Sequence, residues 1–195
     1  MISKLKKDWT EYFENTKEYP PSKLLIEALC YVNNKHKAID IGGGALKDTR
    51  YLLSQGFDTT VIDKEDQMAT FARKLKSDRL HYFITTFANF DFPENEYDIA
   101  SAIYSLPFNL PEDFDYVLMK VKNSLVKGGI FCGQFFGERD DWHINPTMTF
   151  HSGEKVKTLL ADMNILLFEE KEFKGKTANN SPKYWHVFNV IARKK

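Results

Sequence analysis

The sequence predicts a doubly wound α/β domain, in which helices cover both faces of a mostly parallel, seven-stranded sheet that ends in an antiparallel hairpin. Two observations support this fold class. Short apolar runs typical of buried strands alternate with segments whose apolar residues recur at helical spacing, and this alternation is typical of β–α–β units. The last two apolar runs, residues 165–173 and 184–192, are separated only by a polar turn, which indicates a hairpin.

Length and composition limit the organisation and the partners. A chain of 195 residues favours a single domain, which we divide into an N-terminal helical lid or cap over residues 1–36 and a core over residues 37–195. The 27 basic and 27 acidic residues balance, so no net charge attracts nucleic acid or an anionic membrane. The sequence shows no signal-peptide pattern, and no apolar stretch approaches the roughly 20 residues that span a bilayer. It contains only two cysteines. A cytoplasmic protein is therefore expected.

Two helices are predicted before the first strand. Leu5, Trp9, Tyr12 and Phe13 recur at helical spacing and form the apolar stripe of the first helix. After a pair of prolines, Ser22 is placed to cap the second helix. Both helices belong to the predicted lid or cap.

The predicted core then alternates strands with helices. Its first five strands are predicted at residues 38–41, 59–63, 80–84, 97–104 and 130–135. Helices are predicted at residues 46–54 and 68–75, after the first and second strands. The helix before the fifth strand is expected to end at the pair Gly128 and Gly129, and Ser152 is placed to cap a last helix before the hairpin.

The residues just after the first two strands predict a ligand site, because ligands of open α/β sheets lie at the carboxyl ends of the strands. Gly42, Gly43 and Gly44 follow the first strand, and glycine lets the backbone approach a ligand closely. Asp63 ends the second strand, 21 residues after Gly42, close to the offset at which a carboxylate binds ribose hydroxyls. Each feature has an alternative interpretation. The glycines would form a tight turn without a ligand, and Asp63 would cap the helix that starts near Glu65.

The first turn also bears on the kind of cofactor. The dinucleotide fingerprint would place a third glycine at position 47, where this chain has Lys47. A NAD-dependent oxidoreductase is therefore the alternative function. Asp40, inside the strand and two residues before the glycines, suits a cofactor that carries a positive amino-acid end.

At these residues the chain resembles the class I S-adenosylmethionine-dependent methyltransferases. The motif Asp40-Ile41-Gly42-Gly43-Gly44 is similar to the acidic and glycine motif of that family, and Asp63 to its ribose-binding acid. Residues 92–99 and 125–130 look like the family's loops into strands four and five. Residues 9–21 and 184–188 look, more loosely, like the small-molecule branch that includes tellurite-resistance and thiopurine-type methyltransferases.

The resemblance implies a Rossmann-like core with S-adenosyl-L-methionine as cofactor. The glycine turn would hold the methionine part and Asp63 the ribose, with Asp48 facing the ammonium group or stabilising the helix start. Thr86 and Phe87 fall at the adenine, where the family usually has an acid and a small residue, so the chain departs from the pattern there. Tyr104, at the end of the fourth strand, would face cofactor or substrate.

The predicted acceptor is a small molecule, with methyl transfer assisted mainly by positioning and water exclusion. Tyr104 and His143 are the candidates for a catalytic base. The expected substrate residues are Trp9, Tyr12, Phe13, Arg139 and Trp142. The alternatives are a plain packing helix at the N-terminus, a solvated loop at residues 137–143 and a non-catalytic adenosyl-ligand binding protein. The histidine spacing predicts no metal site.

Overall fold

A computed structural model describes residues 9–195 of the chain, so the predicted helical position Leu5 lies outside the described residues. The helices are α1 (Trp9–Thr16), α2 (Lys23–Leu29), α3 (Lys47–Ser54), α4 (Gln67–Leu75), α5 (Pro111–Ser124) and α6 (Gly153–Leu159). The strands are β1 (Lys37–Ile41), β2 (Asp58–Asp63), β3 (Leu80–Ile84), β4 (Tyr97–Ala102), β5 (Leu125–Gly137), β6 (Phe150–His151), β7 (Met163–Lys176) and β8 (Pro182–Lys194). Two short 3₁₀ turns lie at Leu106–Phe108 and Asp141–Ile144.

The predicted fold class is confirmed by the order of the strands. The sheet runs β3-β2-β1-β4-β5-β8-β7, and β1 to β5 are all parallel. The strands β5 and β8 pair antiparallel, as do β7 and β8, so the C-terminal hairpin closes one edge of the sheet. The strand β6, which has only two residues, pairs with the end of β5 and is an addition to the seven predicted strands. Strand order reverses between β1 and β4, and ligands bind at such a switch point.

The boundary between α5 and β5 differs from the prediction. Helix α5 ends at Ser124, and β5 begins at once with Leu125, so Gly128 and Gly129 lie inside the strand. Gly128 has a φ of 80°, and the pairing of β4 with β5 shifts register near this point. The glycine pair therefore lies in an irregular stretch of the strand and does not end the helix.

Apolar residues pack on both faces of the sheet. On one face, α5 and α6 cover a cluster that includes Ile62, Phe131 and Phe188. On the other face, α2 and α3 cover a cluster that includes Phe57 and Ile191. Within residues 9–195, no helix is long and apolar enough to cross a membrane.

Candidate functional site

The glycine turn after β1 lies at the switch point of the sheet. Gly42 and Gly44 have φ values of 78° and 51°, which favour glycine. The Gly42 N–H donates to the carbonyl of Ile62 at 2.7 Å, which ties the turn to β2. A Cβ on Gly42 would collide with the side chain of Ser105, so the backbone passes close to the residues that follow β4.

Asp63 binds the glycine turn through its carboxylate. Oδ2 accepts the N–H of Gly44 at 2.9 Å, and Oδ1 accepts the N–H of Glu65 at 3.0 Å. The side chain therefore also holds the chain that leads into α4, but the N-cap position of α4 is Asp66, so Asp63 is not the helix cap of the alternative interpretation. Burial raises the pKa of Asp63 above its usual range. A carboxylate has about four lone-pair sites, so two remain for hydroxyl donors.

Asp40 lies beneath the same turn. Its side chain is 2% exposed and accepts a hydrogen bond from Thr49 Oγ1 at 2.6 Å. Burial, together with the nearby charge of Asp48, raises the pKa of Asp40 to about 7. A positive group at the turn would therefore be favoured electrostatically, because it would stabilise the charged form of this carboxyl.

Asp48 is bonded to the N-terminal part of the chain. Its Oδ1 accepts the N–H of Ser22 at 2.7 Å, and Oδ2 accepts the Ser22 hydroxyl at 2.8 Å and Lys47 Nζ at 2.6 Å. Ser22 occupies the N-cap position of α2, but its hydroxyl makes no capping hydrogen bond, which corrects that prediction. The structure thus gives Asp48 a bridging role between α2 and α3.

The two residues predicted for the adenine follow β3. Phe87 is half-buried, and one of its ring carbons lies 3.2 Å from where a Cβ on Gly42 would be. Thr86 is exposed, and its hydroxyl accepts the N–H of Asn89 at 3.3 Å. Phe87 therefore borders the glycine turn, whereas Thr86 closes a surface turn beside it.

Two polar residues at this site were missed by the sequence interpretation. Ser105 is 6% exposed, and its hydroxyl has no hydrogen-bond partner among the described residues. Gln134 on β5 is 4% exposed; its Oε1 accepts the N–H of Tyr104 at 3.0 Å, and its Nε2 donates to Asn189 at 3.1 Å. Tyr104 has a φ of 52°, which is unusual for a residue with a side chain, and Gln134 holds it there.

Aromatic side chains from distant parts of the chain meet beside the glycine turn. We name this group the aromatic wall, and its members are Trp9, Tyr104, Phe108, Phe136, Trp142 and Trp185. Neighbouring ring centroids lie 5.4 Å apart for Trp9 and Phe108, 5.6 Å for Tyr104 and Trp185, and 5.5 Å for Trp142 and Trp185. Of the predicted substrate residues, the wall contains Trp9 and Trp142.

A buried ion pair lies behind the aromatic wall. Lys183 Nζ is 2.5 Å from both carboxylate oxygens of Asp140, and the two side chains are 1% and 0% exposed. The ammonium group also lies 3.6 Å from the ring centroid of Trp185 and 4.3 Å from that of Trp142. This pair fastens the loop after β5 to the hairpin, and the sequence interpretation did not find it.

Helix α1 covers the turn and joins it to the wall. The ring of Tyr12 lies 3.4 Å from where a Cβ on Gly44 would be and 5.3 Å from the ring of Trp9. Burial and the charges of nearby aspartates, Asp63 first among them, raise the pKa of Tyr12 to about 12. Asn15 Nδ2 donates to the carbonyl of Ala178 at 3.0 Å, so α1 is also bonded to the turn of the hairpin.

Three predicted residues lie away from this arrangement. Phe13 is 1% exposed and packs in the core with Leu46 and Val61, which removes it from the substrate surface. His143 lines a separate cleft of about 440 Å³ between the start of α5 and α6. It is therefore not placed to act as a base at the glycine turn, and of the two candidates only Tyr104 adjoins the turn.

Arg139 is the third of these residues. Its guanidinium binds Glu170 at 2.8 Å and Glu172 at 2.7 Å, on the face of the hairpin opposite Trp185, because side chains alternate along a strand. With His186, these glutamates form the one cluster within residues 9–195 that has the composition of a metal site. The single positive charge of Arg139 neutralises part of the charge of the two glutamates. The backbone N–H of Arg139 donates to His186 Nδ1 at 3.1 Å.

The chain is similar to known methyltransferases in sequence and in fold. Residues 38–129 match the family model of the methyltransferase domain. The fold is similar to a SAM-dependent methyltransferase from Methanosarcina mazei, with 17% identity and a TM-score of 0.68 over 90% of this chain and 99% of that chain. TehB from Haemophilus influenzae gives 17% identity and a TM-score of 0.71 over 88% of this chain and 61% of that chain.

A third similar structure contains two ligands. It is 1,6-didemethyltoxoflavin-N1-methyltransferase from Burkholderia thailandensis with bound 1,6-didemethyltoxoflavin and S-adenosylhomocysteine. It gives 18% identity and a TM-score of 0.63 over 89% of this chain and 79% of that chain. No curated protein sequence matches the chain. Because the family match begins in β1 and ends in β5, it contains the glycine turn and the strands that flank the switch point. The chain has the fold of the class I methyltransferases, and the match to the methyltransferase domain implies S-adenosylmethionine as the cofactor.

Proposed function

We propose that the protein transfers a methyl group from S-adenosylmethionine to a small molecule held between the glycine turn and the aromatic wall. One observation carries this proposal: residues next to the wall lie against the turn at two points. Tyr12, which packs on Trp9, lies against Gly44, and Ser105, which follows Tyr104, lies against Gly42. An acceptor on the wall would therefore lie next to the cofactor.

The residues around the turn fit the cofactor that the family implies. The glycine backbone and the hydroxyl of Ser105, which has no hydrogen-bond partner within residues 9–195, would hold the methionine part. The remaining lone pairs of Asp63 would accept the ribose hydroxyls. From beneath the turn, the carboxylate of Asp40 would attract the positively charged amino-acid end of the cofactor. Phe87 would pack against the adenine, with Thr86 beside it.

The chain contributes to the reaction by positioning and by excluding water. When bound, the cofactor would supply a methyl group on a positively charged sulfur, which would leave as a neutral thioether while the acceptor would take up the methyl group and the positive charge. Burial and the charge of Asp140 raise the pKa of Tyr104, so its phenol stays protonated and donates a hydrogen bond rather than removing a proton. The rings of the wall and α1 keep water from the site.

The N-terminal helices act as a cap in this proposal. We assign residues 1–36 to the cap and residues 37–195 to the core of a single domain. The bonds of α1 to the hairpin turn and of Asp48 to Ser22 support this division, because they fasten the cap on both sides of the glycine turn. The balanced charge favours a small acceptor over nucleic acid, and the free cysteines Cys30 and Cys132 fit a reducing, cytoplasmic setting.

Calorimetric titration with S-adenosylhomocysteine, S-adenosylmethionine and NAD tests the cofactor site. We expect one site that binds both adenosyl compounds and binds NAD at least about a hundredfold more weakly. Transfer of a radiolabelled methyl group to a mixture of small thiols, amines, phenols and oxyanions then tests the reaction. Tighter binding of NAD would contradict the proposal, and binding without transfer to any acceptor would favour a non-catalytic adenosyl-binding protein.

A further inference from the structure

The composition of the aromatic wall limits the chemical nature of the acceptor. We infer, given the proposed function, that the acceptor is an uncharged molecule with a flat ring that binds in the corner between Tyr104 and Trp185, and that this site rejects oxyanions. The inference rests on the shape of the corner, on the charges behind it and on the basic residues around it.

The corner has the geometry that holds a flat ring. The rings of Tyr104 and Trp185 meet at 69° with centroids 5.6 Å apart, so a ring stacked on one presents its edge to the other. Tyr104 is 37% exposed, which leaves its surface accessible. Ser105 follows directly and lies against Gly42, so the corner opens next to the cofactor turn.

The cation behind the corner is already neutralised. Lys183 donates to both oxygens of Asp140, and the pair is almost fully buried under Trp185 and Phe136. Its charge is therefore not available to an anion at the surface of the wall. The pair adds no net charge to the floor of the site.

Two of the basic side chains around the site are also bonded to acids, and a third lies on the far face of the hairpin. Arg139 binds Glu170 and Glu172, and Lys47 binds Asp48. Lys174 lies two positions from Glu172 on β7, on the face of the hairpin opposite Trp185. Within the described part of the chain, an oxyanion on the wall would lose its hydration without gaining one of these cations.

The polar groups that remain suit a neutral acceptor. Asp63 lies beside the turn, and its carboxylate repels an anion. The phenol of Tyr104 is a hydrogen-bond donor in a largely apolar surrounding, so it can bind a ring nitrogen or a carbonyl oxygen. Stacking and one such hydrogen bond together would select a flat heteroaromatic molecule.

Binding to the protein saturated with S-adenosylhomocysteine tests this inference without depending on turnover. The probes are 2-aminopurine and 2-mercaptobenzimidazole as flat neutral rings, sodium tellurite and selenite as oxyanions, and butylamine as an aliphatic amine. We expect the two ring compounds to bind at least about tenfold more tightly than the other three probes. Equal or tighter binding of an oxyanion, or no binding of either ring compound, would overturn the inference.

Two variants locate the site. Trp185→Leu and Tyr104→Leu are each expected to weaken 2-aminopurine binding by about tenfold while S-adenosylhomocysteine affinity changes less than about threefold. Tyr116→Leu, an exposed aromatic on α5, is the matched control and is expected to change neither. If Tyr116→Leu weakens the ring probe as much as both wall variants do, the assigned corner is wrong. Failure to bind S-adenosylhomocysteine in the unaltered protein would instead contradict the proposed function.

Discussion

The two sides of the candidate site are built in different ways. On the cofactor side, a short glycine turn and two acids from β1 and β2 lie within 24 residues of one another, from Asp40 to Asp63. On the acceptor side, the wall draws on residues from Trp9 to Trp185 and rests on a buried ion pair. The cofactor side is polar and local in sequence, whereas the acceptor side is aromatic and assembled from the whole chain. With the acceptor bound at the wall, as proposed, substitutions there would alter the acceptor side without altering the sequence of the glycine turn.

The largest expected effect tests whether the acceptor side depends on its ion pair. Asp140→Asn leaves Lys183 buried without a counter-charge, so we expect a loss of about 3–5 kcal/mol in the free energy of unfolding. Urea denaturation followed by tryptophan fluorescence measures this loss. The matched control is Glu172→Gln, which weakens the half-exposed pair with Arg139 and should cost about 1 kcal/mol or less. Equal losses in the two variants would show that the buried pair does not support the wall.

The next prediction tests the cofactor side alone. Asp63→Ala removes an acceptor of charged hydrogen bonds, so we expect S-adenosylhomocysteine to bind about 10–100 times more weakly. Calorimetric titration gives the affinity, and Asp66→Ala, an exposed acid three residues later, is the control. Unchanged affinity in the Asp63 variant would refute its assignment to the ribose.

A pH dependence of stability is expected from Asp40. Because folding raises its pKa from 3.8 to about 7, the folded chain keeps a proton that the unfolded chain has lost between these pH values. The contribution of Asp40 to the free energy of unfolding is therefore fully present below about pH 4 and is lost as the pH rises through 7. We expect Asp40→Asn to be about 1–3 kcal/mol more stable than the natural chain at pH 8 and equally stable at pH 4. Thermal denaturation at both pH values measures the difference, and an equal difference at both would contradict the assignment.

The smallest expected effect concerns the link between the two sides. Asn15→Ala removes the hydrogen bond from α1 to Ala178, at a cost of about 1 kcal/mol. We expect S-adenosylhomocysteine to dissociate about three- to fivefold faster, as followed by stopped-flow fluorescence. Glu11→Ala, an exposed change on the same helix, is the control. If both variants release the ligand at the rate of the natural chain, the helix is not fastened through this bond.

The contrast between the two sides also explains what could be predicted from the sequence. The order of strands, the hairpin, the glycine turn and the position of Asp63 follow from local patterns, because periodicity and a fixed offset specify them. Ser152 accepts the N–H of Lys155, as expected of a helix cap. Such features depend only on nearby residues, and they were predicted at close to their observed positions.

Features that depend on distant residues could not be predicted. Tyr12 and Phe13 are neighbours on one helical stripe, and only the packing of α1 decides that Tyr12 meets the turn while Phe13 enters the core. Lys183 has the sequence character of a surface lysine, and its partner Asp140 lies 43 residues away. Gly128 and Gly129 looked like the end of a helix because the register of β5 against β4 is a tertiary property.

The position of Asn15 and Tyr12 on one short helix has a kinetic consequence. Tyr12 lies over the glycine turn, and Asn15, less than one helical turn away, is bonded to the hairpin that carries Trp185. A movement of α1 that admits the cofactor must therefore also loosen the acceptor side, and its return restores both at once. We expect an obligatory sequence of events in each catalytic cycle, with the cofactor bound first and S-adenosylhomocysteine released last.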